Sequence, residues 1–253
     1  MPISEDETND SPKAESDVVK SSPRVTIEQA RESIRTLIDA FDALTNGGTV
    51  NLQAEHEQVF GDVFGWWVWI NNSSKLVLLA HDAGRGHEAS PNVRTILEHA
   101  VVMQWVIDDT QAATAAIAAK ASENRRKLFN DATALGLAIP DNIPRPEPVK
   151  DTMLDFASLC DRYEAKILYI PYRMLSNHVH PSAKGAEAYL DRDTLELRNH
   201  ADKSDQPDLE LVAICLLQAA QAIDTLTSDR PLAAAITAAN APFEHSIEPF
   251  TCR

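Results

Sequence analysis

The segment Tyr172-Arg173-Met174-Leu175-Ser176-Asn177-His178-Val179-His180 carries the residue types that proton transfer beside an anionic oxygen needs. An arginine supplies a permanent cation whose forked donors bind an anionic oxygen. An imidazole gives or takes a proton near neutral pH. On a helix turning about 100° per residue, Leu168, Tyr172, Leu175 and Val179 fall on one apolar arc. Arg173, Ser176, Asn177 and His180 fall on the opposite arc, so four hydrogen-bonding side chains share one stripe. His178 lies on the flank near Met174. Pro181 ends the helix and leaves His180 in its C-terminal turn, where the dipole favours imidazolium. This geometry makes His180, rather than His178, the working partner of Arg173. A plainer reading leaves the same residues structural: Arg173 pairs with a carboxylate such as Glu98, while Ser176 and His180 bond to the following loop.

Arg94 and Glu98 lie one helical turn apart, off the core stripe of their own helix. Two arrangements are open to them. They form a surface pair contributing roughly a few tenths of a kcal/mol, or they face the Arg173/His180 helix across a cleft. In the second case Glu98 orients His180 or Arg173, because a buried charge needs a partner.

Metal and cofactor chemistry find little in the sequence. His178-Val179-His180 is an H-x-H pair, but on a helix residues two apart diverge by about 200°. His81, His87, His99 and His200 stand elsewhere, and no H-E-x-x-H motif or E-x-x-H pair occupies an apolar helix. With no P-loop, dinucleotide-binding glycine pattern or G-x-S-x-G elbow, we expect neither metal nor cofactor. His81-Asp82-Ala83-Gly84-Arg85-Gly86-His87 reads as an interhelical loop, Asp108-Asp109 as a helix end, and Arg125-Arg126-Lys127 as a solvated helix face.

The elements that must position the stripe are helices. Residues 1–24 are rich in Ser, Asp, Glu, Pro and Lys and poor in large apolar groups, so they are expected to form a disordered acidic tail. Thr26-Ile27-Glu28-Gln29 starts a helix with Ile34, Leu37, Ile38, Phe41 and Leu44 at helical spacing, and Asn46-Gly47-Gly48 stops it. A second runs from about Glu55 to Ala83, with Phe60, Phe64, Trp67, Val68, Leu76, Leu79 and Ala80 as its apolar face. Asn71-Asn72-Ser73-Ser74 marks a place where it can kink, and Trp66, Trp67 and Trp69 read as packing residues. Ser90-Pro91 signals an N-cap and first turn for a helix stacking Val93, Ile96, Leu97, Ala100, Met103 and Ile107. An Ala-rich helix spans Ala112 to Leu135, and the four prolines of Pro140 to Pro148 make a loop. Asp151 caps a helix reaching about Glu164. Beyond His180 the chain is polar and irregular, apart from a small hairpin pairing Tyr189-Leu190 with Leu195-Glu196-Leu197. Leu209 to Leu226 is a long helix with Leu211, Val212, Cys215, Leu216, Ala219 and Ile223 turned inward; Arg230-Pro231 breaks it before a short Ala-rich helix. The expectation is an all-α multi-helix bundle of five to seven helices over residues 25–240, with a flexible C-terminal tail at 241–253.

At 253 residues and 44% hydrophobic content, the chain can bury a substantial core. A net charge of −15 opposes a broad grip on nucleic acid or an anionic membrane, though not a local basic pocket. Cys160, Cys215 and Cys252 are sparse and unpaired in pattern, and the first two sit in apolar helical stretches as buried thiols. Without a signal-like apolar stretch near Met1 or a membrane-length run, the expected location is the cytoplasm, away from the membrane.

Val93-Arg94-Thr95-Ile96-Leu97-Glu98 on one helix, with Tyr172-x-x-Leu175-Ser176-x-x-Val179-His180-Pro181-Ser182 on a later one, resembles a bacterial family of helical proteins, the DUF5677-like domain of unknown function. The resemblance covers roughly Glu55 to Leu226. The Arg-x(4–6)-His spacing, met by Arg173/His178 and by Arg173/His180, is also similar to the HEPN superfamily, whose active members are dimeric, metal-independent RNases of toxin and phage-defence systems. It implies that Arg173 stabilises a scissile phosphate and that His180 or His178 works as acid or base on the 2′-hydroxyl or leaving oxygen. Tyr172, Ser176, Asn177, Arg94 and Glu98 then bind or orient. The partners it implies are a second copy of the chain, RNA at a local site, and a protein of the same system. HEPN nucleases usually carry a polar residue after the arginine, and here Met174 stands there. The competing expectation is a non-catalytic interaction module in which the Arg/Ser/His stripe is structural.

Overall fold

The computed structural model describes residues 25–47, 49–140, 142–180, 182–191, 193–201 and 206–252. The expected tail at residues 1–24 lies outside them, as does Pro181. Among the described residues the chain forms nine α-helices and one two-stranded hairpin, so the all-α bundle is what the sequence folds into. Seven of the nine reach eight residues or more, against the five to seven expected.

Helix α1 (Ile27–Gly47) opens on the reciprocal cap its sequence encodes. Thr26 N–H donates to Gln29 Oε1 (2.9 Å) and Gln29 N–H donates to Thr26 Oγ1 (3.2 Å). Its apolar stripe, Ile34, Leu37, Ile38 and Phe41, is buried, and Ser33 Oγ donates to the Ala239 carbonyl at 2.8 Å.

Helix α2 (Glu57–Asp82) is continuous. The Asn71–Ser74 patch does not divide it, because Asn71 Nδ2 donates to the Trp67 carbonyl and Ser74 Oγ to the Ile70 carbonyl, both at 2.8 Å. These buried polar groups are thereby satisfied within their own helix. The core face runs through Val63, Trp67, Ile70, Val77 and Leu78. Trp69, Leu76 and Leu79, expected in the apolar packing, are exposed instead, since they project off that stripe. Trp69 stacks on the His99 ring at a centroid distance of 5.9 Å.

Helix α3 (Ser90–Asp108) follows directly from a 3-10 turn, His87–Ala89, and its N-cap is Ala89. Ser90 is therefore a buried first-turn residue, not the cap expected from Ser90-Pro91. Helix α4 (Thr110–Ala134) ends as its glycine dictates. Gly136 adopts φ +71°, Gly136 N–H bonds the Thr133 carbonyl and Leu137 N–H bonds the Ala132 carbonyl.

Helix α5 (Phe156–Arg162) is shorter than expected and starts four residues later. Its cap is Asp155, which accepts from Ser158 N–H at 2.8 Å. That bond holds the Asp155 carboxyl below its ordinary range. Asp151 instead accepts from Met153 N–H at 3.0 Å and pairs with Lys120 at 2.6 Å. Asp155→Ala is expected to fray α5 at its first turn, whereas Asp151→Ala leaves α5 intact; amide exchange at Ser158 and Leu159 reads the difference.

Helix α6 (Lys166–Val179) and α7 (Ala183–Glu187) lead into the hairpin of β1 (Leu190–Asp191) and β2 (Glu196–Leu197), paired antiparallel with Leu190 opposite Leu197. Helix α8 (Gln206–Asp224) is buried on nearly every side, the signature of a central helix. It packs against α1, α2, α3 and α9 (Ala233–Asn240). Residues 241–252, expected as a flexible tail, lie along α8. Gln218 Nε2 donates to the Glu248 carbonyl and Gln221 Nε2 to the Ile247 carbonyl, both at 2.7 Å, and Phe250 N–H returns to Gln218 Oε1 at 3.0 Å. Cys160 and Cys215 are buried, and burial pushes the Cys160 thiol up to about 11. Among the described residues, no helix is long and apolar enough to cross a membrane.

Candidate functional site

Helix α6 reaches the bundle through α3 and α5. Leu168 and Leu175 are the buried anchors of its apolar arc; Tyr172 and Val179 on the same arc are half-buried. Burying those residues turns Arg173, Asn177 and His180 outward, and all three are exposed. Pro171 sits inside the helix and withholds one N–H from its ladder. The helix ends at Val179, and His180 leaves it in an extended conformation (φ −100°, ψ 148°).

The exposed stripe forms one wall of a cleft of about 450 Å³, which contains Arg173, Ser176, Asn177 and His180 together with Arg94, Tyr169 and Tyr172. Asp155 and Phe156 at the start of α5 and Ser182 ahead of α7 complete it. Arg173 Nη1 lies 3.4 Å from the Tyr169 hydroxyl, one turn back on the same helix. No carboxylate pairs with Arg173 among the described residues. Glu98, the carboxylate offered as an example in the structural reading, bonds Arg94 and Tyr172 instead. Ser176 Oγ donates to the Tyr172 carbonyl at 2.8 Å, so its hydroxyl hydrogen is spent on its own helix. Ser182 Oγ donates to the Asn177 carbonyl at 2.5 Å and accepts from Gly185 N–H at 3.1 Å, tying the end of α6 to the start of α7.

Glu98 and Arg94 do face α6, but through Tyr172 rather than Arg173 or His180. Arg94 Nη2 donates to Glu98 Oε1 (3.2 Å) and to the Tyr172 hydroxyl (2.5 Å), and that hydroxyl donates to Glu98 Oε1 (2.9 Å). The Arg94 guanidinium also lies over the Tyr172 ring at 4.6 Å, and Phe156 covers Tyr172 at 4.3 Å between centroids. Burial and the hydrogen bond to Glu98 raise the Tyr172 phenol, so it stays neutral and can donate. Tyr172→Phe removes the central hydroxyl and is expected to cost about 1 kcal/mol, seen as a lowered unfolding midpoint with an unchanged helical spectrum.

His178 turns away from Arg173. Its ring meets His87 edge to face at 4.6 Å, and His87 in turn meets Tyr189 at 5.5 Å. It takes no part in the cleft's lining. The sequence singled out Arg173, Ser176, Asn177, His180, Tyr172 and Arg94, and the fold brings all of them to one cleft. It did not single out Tyr169, Asp155 or Phe156, and Ser182 entered only as the last residue of the motif that carries the family resemblance. Tyr169 was visible in principle, four residues before Arg173 and therefore over the same face. Asp155 carries an Asp-x-x-Ser capping signal.

Other arginines differ: several pair with carboxylates, while Arg35, Arg125 and Arg145 have none among the described residues but lie outside the cleft. Arg85 lies 3.6 Å from Glu88, and Arg126 donates twice to Glu123 at 2.7 Å. Among the described residues, no three His, Cys, Asp or Glu side chains converge as a metal site would require.

The fold and cleft define a class: an all-α bundle with a polar, arginine- and histidine-bearing cleft between α3, α5 and α6. Residues 63–197, more than half the chain, match the family described as a family of unknown function (DUF5677), and the chain belongs to that family. The matched span runs from within α2 to β2 and contains Arg94, Glu98, Tyr172, Arg173 and His180. No curated protein and no solved structure matches the chain.

Proposed function

We propose that this protein is a HEPN-like, metal-independent ribonuclease of a bacterial defence or toxin system, with Arg173 and His180 working on one phosphodiester. The observation that carries the reading is the pairing of these two side chains, both exposed, in one cleft, with Arg173 unclaimed by any carboxylate among the described residues. In a chain of net charge −15, an arginine left without a carboxylate is positioned for an anion from outside.

The roles follow from chemistry. Arg173 holds the non-bridging oxygens and stabilises the charge that accumulates on them as the 2′-hydroxyl attacks. His180 removes the proton from that hydroxyl, or supplies one to the departing 5′-oxygen. The new bond joins O2′ to phosphorus and the bond to O5′ breaks, leaving a 2′,3′-cyclic phosphate and a 5′-hydroxyl. Asn177 adds a neutral donor on the same stripe. The Arg94–Glu98–Tyr172 cluster is a positioning element that holds the middle of α6 against α3. Asp155, its carboxylate held by the α5 cap, limits how much negative charge the cleft accepts beyond a single phosphate.

Growth arrest and RNA integrity after expression of the wild type, Arg173→Ala and His180→Ala provide the test. RNA degradation is expected with the wild type only. Equal toxicity in all three, or intact RNA in all three at good expression, contradicts the reading.

The same proposal makes the protein a homodimer. Ile167, Ile170 and Met174 project exposed along one edge of α6, with 77%, 61% and 62% of their surface accessible, beside Arg173. A second copy covering this edge buries them and brings two clefts near one RNA. Sedimentation should then give a dimer for the wild type and a monomer for Ile170→Glu; a wild-type monomer at micromolar concentration refutes it.

A further inference from the structure

Next to the polar cleft, and sharing Phe156 with it, lies a mostly apolar pocket of about 320 Å³. Its walls come from four helices and the segment before α5: Trp66 on α2, Val102 on α3, Ile117 on α4, Met153 ahead of α5 and Phe156 at its start. That size sits at the low end of small-molecule sites, and the aromatic walls suit a flat ring. Two charged side chains line it. Lys120 is taken by Asp151 at 2.6 Å. The other is Glu98, which joins the two spaces: it lines the apolar pocket, while Tyr172, bonded to it at 2.9 Å, lines the cleft. Both bonds to Glu98 go to Oε1, and Oε2 takes none among the described residues. His99 also lines it, its Nδ1 meeting the Thr95 carbonyl at 2.8 Å. An open carboxylate oxygen beside the flat walls of Trp66, Phe156 and the His99 ring recognises a ligand that is flat and carries an N–H donor.

We infer that this pocket seats the base of the ribonucleotide whose phosphate lies on Arg173, with Glu98 accepting from a ring or exocyclic N–H of that base. The inference rests on the reading of the cleft as a phosphate site, and it names the substrate class of that site. A ribonucleotide spans the two spaces in the required order, with its flat, donor-bearing end in the apolar pocket and its anionic end in the cleft. The polar wall between them, Glu98–Tyr172–Arg94, faces the sugar. The enzyme thereby distinguishes a base from a bare sugar phosphate before any cleavage occurs.

The test is calorimetric titration of the full chain with guanosine 5′-monophosphate, purine riboside 5′-monophosphate (whose ring lacks N–H donors) and ribose 5-phosphate. Wild-type protein is expected to bind guanosine monophosphate roughly tenfold or more tightly than ribose 5-phosphate, with purine riboside monophosphate between them. Val102→Phe, which fills the pocket, should reduce guanosine monophosphate to the level of ribose 5-phosphate and leave the sugar phosphate unchanged. Arg173→Ala should weaken all three. Equal wild-type affinities for guanosine monophosphate and ribose 5-phosphate overturn the base pocket, and this comparison does not depend on any variant folding. If Arg173→Ala leaves all three affinities unchanged, the phosphate reading of the cleft fails instead. If no ligand binds, both readings fall.

Discussion

Replacing His180 by alanine is expected to lower the rate of RNA cleavage by about 10²–10⁴-fold, the usual contribution of a positioned acid or base. The unfolding midpoint should hardly move. His180 is exposed, its backbone N–H bonds the Ser176 carbonyl at 3.3 Å whatever the side chain, and no hydrogen bond to its ring is made among the described residues. Arg173→Ala should lower the rate by about 10²–10³-fold through loss of charge stabilisation at the phosphate. Arg173→Lys should recover only part of that loss, because an ammonium keeps the charge but not the planar fork. His178→Ala should behave in the opposite way. Its ring packs on His87 at 4.6 Å, outside the cleft, so its loss should loosen the junction of α6 with the residues before α3 and change cleavage little. Steady-state rates alongside thermal melts of the four variants separate these outcomes. A His178 variant that is inactive yet fully stable, beside an active His180 variant, would reverse the assignment of the two histidines.

The largest effect on stability is expected from Trp67→Ala, at about 3–5 kcal/mol. Trp67 is 2% exposed in the middle of α2, and its ring meets Phe41 of α1 edge to face at 4.9 Å and Phe64 at 6.1 Å. Truncation leaves a cavity at the seam of α1 and α2, and rigid helices on both sides limit its collapse. Trp69→Ala, two residues on, should cost far less, because that ring is 54% exposed and only stacks on His99. Chemical denaturation of the two variants gives the comparison, and similar midpoints would mean that the packing of α2 is wrong.

The contrast between these tryptophans shows where sequence periodicity stops being informative. Helix α2 is apolar on several faces, so hydropathy sets Trp67 inward but puts Leu76 and Leu79, both exposed, on the same face and reads Trp69 as packing. Packing against α1 and α3 decides which of them turn inward. Where one face is plainly apolar and the other polar, as in α1 and α6, the wheel places the residues correctly. It sets Arg173, Asn177 and His180 outward over Leu168 and Leu175, and it separates His180 from His178. Two aspartates four residues apart, Asp151 and Asp155, both offer a helix start, and only the N–H that each one finds distinguishes them. The polar wall of the site was half legible. The i,i+4 spacing brings Arg94 to Glu98, but their meeting with Tyr172, 74 residues along the chain from Glu98, comes from the docking of α6 on α3. Phe156 entered the site the same way, as a core residue of a short helix that happens to separate two pockets.

The most direct test of the central claim is incubation of the purified wild-type protein with an end-labelled RNA in excess chelator, with the product termini identified. The account predicts cleavage undiminished by chelation, giving 2′,3′-cyclic phosphate and 5′-hydroxyl ends, and no cleavage where the nucleotide 5′ to the bond carries a 2′-deoxy sugar. Intact RNA, or cleavage that persists at the 2′-deoxy position, would contradict it.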